Sequence, residues 1–331
     1  MSVATESNEK ILDVKNLKMY FPVTRGVLRR KVAEIKAVDD VSLSLRPGET
    51  LGLVGESGCG KTTVGRCILR LYEPTAGEIV FEGEDITRLN ARTLRAWRRK
   101  MSLVFQDPYS SLDPRMNSGD IVGEPLLIHG LVSKGAAYRK EVEKLFGMAG
   151  LDPRMMDRFP HEYSGGQRQR LSIARSLAGD PSLIICDEPI SALDVSMQAQ
   201  ILNLLHELRD KKPRLSYIFI SHDLPAVQYI SHRVAVMYLG RIMEIADSTE
   251  LYSHTLHPYS IALLSAIPIP DPDFEAERKR IVLEGDVPTP LNPPKGCSFH
   301  PRCWRAQARC GEETPELKEV SPSHRVACHF V

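Results

Sequence analysis

Nowhere in these 331 residues is there an apolar run approaching the roughly 20 residues that a bilayer-spanning helix needs, so any membrane role has to be peripheral. Charge of one sign is missing too. The 43 basic and 42 acidic side chains leave a net +1, which removes attraction to nucleic acid or anionic lipid as the main driving force. The local basic run over residues 95–100 is read as a solvated helix face. The first ten residues are polar where a secretory signal needs an apolar segment, and the expected compartment is the cytoplasm. In that reducing setting the seven cysteines are not a disulfide framework. Cys59, Cys67 and Cys186 lie in apolar or glycine-rich segments as small buried thiols, which leaves Cys297, Cys303, Cys310 and Cys328 crowded towards the end of the chain.

What is present is a regular alternation of short patterns. Residues 11–45 alternate apolar and polar positions, through Leu12, Val14 and Leu17 and then Val41, Leu43 and Leu45, which predicts a small antiparallel sheet. Residues 50–54 read as a short apolar strand entering a glycine-rich turn, and helical spacing resumes through Val64, Cys67, Ile68 and Leu71. Residues 108–181 carry helical periodicity broken by Gly and Pro and are expected to be a helical subdomain at about 108–180. Strand signals return at residues 183–186, 217–220 and 234–238, the first two separated by an amphipathic helix over residues 198–209. Such βαβ alternation implies a mostly parallel sheet covered by helices. A helix ending near Ile267 gives way to Pro268, Pro270 and Pro272, which places the boundary there: one domain over residues 1–267, then a Pro-rich linker and a small Cys-rich tail over 268–331. So short a tail hardly holds a core unaided.

Gly55, Glu56, Ser57, Gly58, Cys59, Gly60, Lys61 and Thr62 match G-x-x-x-x-G-K-[ST] between a predicted strand and a predicted helix, with Thr63 next in line. Glycines let backbone N–H groups face phosphates, and the helix N-terminus adds positive potential. Lys61 is expected to reach the β and γ phosphates and Thr62 to ligate Mg²⁺. An apolar strand ending in Asp187 and Glu188 delivers two carboxylates of the kind such a site needs, Asp187 for Mg²⁺ and Glu188 to polarise the attacking water. Ser164, Gly165, Gly166 and Gln167 open a helix with exposed N–H groups, a favourable end for an anion and equally a self-contained helix cap. Gln106 after a strand over residues 101–105, Asp194 in a short loop and His222 after the strand at 217–220 gain weight only from their places at strand ends.

With these segments in this order, the chain resembles the nucleotide-binding domain of ABC transporters across about its first 265 residues. The resemblance implies an α/β fold of P-loop ATPase type, a RecA-like mostly parallel sheet with an antiparallel β subdomain and a helical subdomain. It assigns Gln106 to a loop that senses Mg²⁺ and the membrane subunit, residues 164–167 to the signature sequence, and His222 to a switch at the γ phosphate. An aromatic is expected to stack on adenine, Phe21 or otherwise Tyr20. In this family two such domains close head to tail, each ATP lying between one chain's phosphate loop and the other's signature helix.

More narrowly, the stretch Phe105 to Pro114, the stretch His161 to Arg170 and the spacing Cys297-x5-Cys303-x6-Cys310 are similar to the oligopeptide and dipeptide permease subfamily, F-type subunit. The implied machine is an importer on the cytoplasmic face of the cell membrane. It would comprise this ATPase, a second homologous ATPase subunit, two membrane permease subunits and an extracytoplasmic peptide-binding protein, with no nucleic acid. Departures are slight: Tyr163 stands for a commoner Leu, Thr62 for Ser and Ile190 for a frequent Thr. The four tail cysteines suit a thiol cluster, a zinc site or an iron–sulfur site, and the lack of a close C-x2-C pair weakens zinc. His300, His324 and His329 lie close enough in sequence to enter the ligand set. Resemblance to related importer ATPases favours a [4Fe-4S] cluster on Cys297, Cys303, Cys310 and Cys328. Related importers of nickel, glutathione, sugars or opines use similar subunits. A soluble ABC ATPase of DNA repair or translation would need a long coiled-coil insertion or two such domains, and neither pattern is in the sequence.

Overall fold

The computed structural model describes residues 9–26, 30–267 and 281–331, so the expected linker through Pro268, Pro270 and Pro272 lies outside the described residues. In chain order the elements begin β1 (Leu12–Arg25), β2 (Arg30–Leu45), β3 (Thr50–Val54), α1 (Lys61–Ile68), β4 (Ala76–Phe81), β5 (Glu84–Asp85), α2 (Ala91–Lys100) and β6 (Met101–Val104). A helical stretch follows: α3 (Pro108–Ser111), α4 (Ser118–Ile128), α5 (Ala136–Met148) and α6 (Gly165–Leu177). Then come β7 (Leu183–Asp187), α7 (Val195–Lys211), β8 (Ser216–Ile220), α8 (Leu224–Ile230), β9 (Arg233–Tyr238), β10 (Arg241–Asp247), α9 (Ser248–Ser253) and α10 (Pro258–Ser265). The tail contributes α11 (Ala308–Glu312), β11 (Lys318–Ser321) and β12 (His324–Val326). These elements fall into two compact units, one taking the chain up to Asp13 with Ser44–Thr50 and Val80–Ser221, the other Val14–Leu43, Leu51–Ile79 and His222–Val331.

In the first unit β6, β7 and β8 run parallel, with Met101 opposite Leu183 and Leu183 opposite Ser216. Every residue of β7 and β8 is buried, so their apolar runs are continuous rather than alternating, as expected of strands covered on both faces. Burying a side chain such as Tyr217, Phe219 or Ile185 contributes about 1.5–3 kcal/mol each. The helical stretch is closed by polar contacts at its turns. Asn117 caps α4 by accepting from the Asp120 N–H, the Ser118 hydroxyl donates to the Arg158 carbonyl at 2.8 Å, and the Tyr163 hydroxyl donates to the Met155 carbonyl at 2.6 Å. That last bond explains how the unusual tyrosine is buried without cost to its polar end.

In the second unit β3 pairs in parallel with β9, β9 antiparallel with β10, β10 with β12, and β12 with β11. The described tail thus adds two strands to the sheet edge beside β10, with Glu244 opposite Val326. Alternation in β1 and β2 is interrupted at matching points. Val14 and Leu17 are both buried although three residues apart, because Asn16 sits at φ 47° and takes up the extra residue. Val38 and Val41 repeat the pattern around Asp40 at φ 71°, and the Asn16 amide donates to the Asp40 carboxylate at 2.9 Å. Among the described residues no helix is long and apolar enough to cross a membrane.

Candidate nucleotide site

The loop over residues 55–60 leaves the fully buried strand β3 and enters α1. Its conformation requires glycine at both ends. Gly55 has φ 147° and an added Cβ would meet the Met237 carbonyl oxygen at 2.1 Å, while Gly60 has φ 106° and would meet that of Ala37 at 2.2 Å. Gly60 also serves as the N-cap of α1 without any side-chain cap, and no acidic residue lies in the first turn. The partial positive charge at this helix N-terminus is therefore met neither by a side-chain cap at Gly60 nor by a carboxylate of the first turn. Lys61, only 5% exposed, folds back across the loop and donates to the carbonyls of Gly55 at 2.8 Å and Glu56 at 3.1 Å. Burial pushes the Cys59 thiol up, against the nearby Lys61 charge, so this cysteine is a neutral wall of the loop. Thr62 and Thr63, the next side chains, are half-buried.

In the first unit, Asp187 ends β7 and is 5% exposed. Glu188 follows at φ 49°, a left-handed conformation rare for such a residue, fixed by its N–H donating to the Ile220 carbonyl at 2.9 Å. The Gln106 side-chain amide donates to the Glu188 carboxylate at 3.0 Å, so two residues 82 positions apart in sequence meet. Ser164 caps α6: its hydroxyl accepts from the Gln167 N–H at 3.3 Å while the Gln167 side chain accepts from the Ser164 N–H at 3.0 Å. Gly165 is exposed, and Gly166 is buried beneath Met197, whose sulfur lies 2.6 Å from where a Cβ would stand. Asp194 caps α7 by accepting from the Met197 N–H at 2.9 Å. The helix opening expected at Ser164 thus exists and is closed by its own side chains, and Asp194, expected in a loop, caps a helix as well.

In the second unit His222 is exposed ahead of α8. Tyr20 is committed elsewhere, its hydroxyl donating to Asp39 at 2.5 Å, and burial first, then the Asp39 carboxylate, raise its pKa. Phe21 is half-buried, its ring edge-on to Tyr72 at 5.4 Å. Three participants escaped the sequence reading altogether. The Glu56 N–H donates to the Tyr259 hydroxyl at 2.9 Å, and Arg302 pairs with the Glu56 carboxylate at 3.0 Å. Phe299, fully buried, lies between Tyr238 at 5.4 Å and Tyr259 at 5.3 Å. The string Phe299, His300, Pro301, Arg302 was the available signal, an aromatic and a cation on one short turn.

The four tail cysteines line one small cavity of ≈ 20 Å³ together with His257, His300 and His329. All four are free thiols, and burial, reinforced by the other three sulfurs, pushes Cys297 up to about 11. They do not stand as a ligating set: among the described residues no three His, Cys, Asp or Glu side chains are grouped closely enough to hold a metal ion. Burial raises the pKa of Cys297 and of Cys303, which disfavours the thiolate form that a metal ligand needs. The three tail histidines are engaged elsewhere. His300 bonds the Cys297 carbonyl at 2.9 Å, His329 the Glu313 carbonyl at 2.9 Å and His324 the Glu244 carboxylate at 2.8 Å. Zinc and iron–sulfur therefore find convergent sulfur donors here but no assembled centre.

A strand running into an uncapped, lysine-bridged glycine loop, with a glutamine-tethered glutamate after a second buried strand, is the equipment of a P-loop nucleotide hydrolase. Two family models match the chain, ABC transporter over residues 38–191 and oligopeptide/dipeptide transporter, C-terminal region, over residues 243–310. The oligopeptide transport ATP-binding protein AppF of Bacillus subtilis (strain 168) is 52% identical over 325 residues, 98% of this chain and 98% of that protein. The putative oligopeptide transport ATP-binding protein YkfD of the same organism is 50% identical over 320 residues, 97% of this chain and 95% of that one. Among solved structures, a dimeric ATP-binding cassette in a post-hydrolysis state, bound to ADP and Pi, matches with a TM-score of 0.64 at 28% identity, covering 72% of this chain and 98% of that chain. The chain belongs to the ATP-binding proteins of ABC transporters, in the oligopeptide/dipeptide branch of that family.

Proposed function

We propose that this chain binds and hydrolyses Mg-ATP to drive uptake of di- and oligopeptides through an ABC importer. The observation that carries the reading is the phosphate loop itself, with Lys61 buried across it and α1 left uncapped by any side chain. Gly55, Ser57, Gly58, Gly60, Lys61 and Thr63 hold phosphate; Thr62, Gln106 and Asp187 serve Mg²⁺; Glu188 polarises water; His222 contacts the γ phosphate; and Phe21 stacks on adenine. The tether from Gln106 to Glu188 supports this assignment, because a carboxylate that accepts from a fixed amide is held aimed in one direction. Ser164, Gly165, Gly166 and Gln167, with Asp194, act on nucleotide held by a second, homologous ATPase subunit. Two permease subunits at the cytoplasmic face of the membrane and an extracytoplasmic peptide-binding protein complete the machine. Peptide as cargo rests on the names of the relatives, oligopeptide transport ATP-binding proteins.

A reconstituted importer tests this directly. Labelled di- and tripeptides should enter vesicles only with Mg-ATP. Uptake of nickel, glutathione, an opine or a sugar in place of peptide would overturn the cargo, and absence of any ATP turnover would overturn the whole reading. A [4Fe-4S] cluster on Cys297, Cys303, Cys310 and Cys328 belongs to the same proposal, supported by four free thiols on one cavity. Its chemistry there would be cross-linking of a tail short of core residues. Anaerobically purified protein should contain iron and acid-labile sulfide in equal amounts; zinc alone, or neither, would remove the cluster from the proposal.

A further inference from the structure

The phosphate loop is held from behind by the C-terminal tail, and we infer that Arg302 is a positioning residue for nucleotide binding that acts through Glu56. The inference rests on residues 55–62 being the phosphate-binding loop. Glu56 is fixed on three sides. Its N–H donates to the Tyr259 hydroxyl at 2.9 Å, its carboxylate takes two bonds from one Arg302 nitrogen at 3.2 and 3.0 Å, and its carbonyl receives the Lys61 ammonium at 3.1 Å. Any shift of this one residue therefore moves an anchor of the lysine that meets the phosphates.

Arg302 is able to impose a position because its own frame is rigid. Its side chain is only 8% exposed against 27% for Glu56, which keeps the pair out of bulk water and strengthens it relative to a surface bridge. The short turn that carries it is closed by its own N–H donating to the Phe299 carbonyl at 3.0 Å and by the Cys303 N–H donating to that of His300 at 3.2 Å. Phe299 is wedged against Tyr238 and Tyr259, and Tyr238 and Tyr259 touch at 4.7 Å. Tyr259 thus appears in both supports, packing the turn that holds Arg302 and accepting from the Glu56 N–H. Packed interiors of this density transmit a displacement rather than absorb it. The tail segment is in this way part of the nucleotide site without touching nucleotide.

A plain structural clamp would alter folding stability alone, whereas a positioning residue alters affinity for nucleotide in protein that remains folded. The experiment is titration of the purified full chain with Mg-ATP, alongside thermal unfolding without nucleotide. Arg302→Gln is expected to bind about tenfold more weakly, the order for losing one sheltered charge-assisted hydrogen bond. Glu56→Gln should show the same loss, the double variant should be no worse than either single one, and Arg302→Lys should recover part of the affinity. Arg302→Gln that binds Mg-ATP like the unaltered chain while melting earlier would overturn the inference, as would losses that add in the double variant. Should Arg302→Gln fail to fold, Glu56→Asp, which keeps the charge but shortens the reach, is read the same way. If the unaltered chain itself binds no Mg-ATP, the phosphate-loop reading fails instead.

Discussion

Two helices of this protein begin at glycines and were both expected to receive phosphate, yet they are finished in opposite ways. α1 opens at Gly60 with no side-chain cap and no acidic residue, its loop bridged by Lys61. α6 opens at Ser164 inside a closed capping box with Gln167. The first meets an anion with no capping box to open and no first-turn carboxylate to repel it. The second must exchange internal hydrogen bonds for a ligand, a cost of roughly 0.5–2 kcal/mol set by the worth of an N-cap. This contrast fits the roles proposed above, in which one end captures nucleotide and the other acts on nucleotide held by a second subunit.

The largest effect expected on this contrast is catalytic. Glu188→Gln should lower ATP hydrolysis about 10²- to 10³-fold while Mg-ATP still binds, measured as phosphate release beside a binding titration. Equal loss of binding and turnover would mean that Glu188 supports the loop rather than the water. Next comes Gly60→Ala, which forces a Cβ onto the Ala37 carbonyl at a φ of 106°. Strain of about 1–3 kcal/mol should weaken Mg-ATP binding by up to about a hundredfold, and unchanged affinity in the same titration would refute the view of α1 as a preset end.

Smaller effects sharpen the other half. Ser164→Ala should cost about 1 kcal/mol of stability through the lost cap, seen in denaturant unfolding, and should leave capture of Mg-ATP by the isolated chain intact. Ser164→Gly should cost only a few tenths. If both variants unfold like the parent, the capping box is not part of the resting state. The mildest test concerns the wall behind the phosphate loop, where the Asp39 N–H donates to Gly240 and the Gly240 N–H to Cys59. Burial works to raise the Asp39 pKa, but hydrogen bonds from Tyr20 and Arg241 outweigh it and hold the carboxyl below its ordinary value. The stability this provides is present above the ordinary aspartate range and is lost as pH falls through the depressed folded value. Asp39→Asn should flatten that acid limb in a pH series of melting curves, and an unchanged limb would count against the pairing.

Much of this site was readable because its signals are local. Apolar runs of four or five residues located β3, β7 and β8 to within a residue, and the G-x-x-x-x-G-K-[ST] spacing located α1. Each depends on neighbours in sequence, where periodicity and turn chemistry speak. What escaped depends on distance. Nothing local in Lys318–Ser321 or His324–Val326 announces that they extend a sheet from β10, where Glu244 stands opposite Val326. The Arg302 to Glu56 bridge spans 246 positions and uses two residue types that are mostly solvated. The bulges at Asn16 and Asp40 were hidden for another reason: residues that adopt left-handed backbone locally look like ordinary polar strand positions.

The buried carboxylate of Glu244 has an implication for handling this chain. It accepts from the backbone N–H groups of Leu256 and His257 and from His324 in the last strand, and it is wholly shielded from water. A chain shortened ahead of His324 would remove one of the partners of that buried carboxylate and strip the cover from β10, inviting edge-to-edge aggregation. Extensions placed after Val331, which is exposed, avoid both hazards. The last dozen residues are in effect a lid screwed down from inside, and purification schemes that trim them would be studying a different protein.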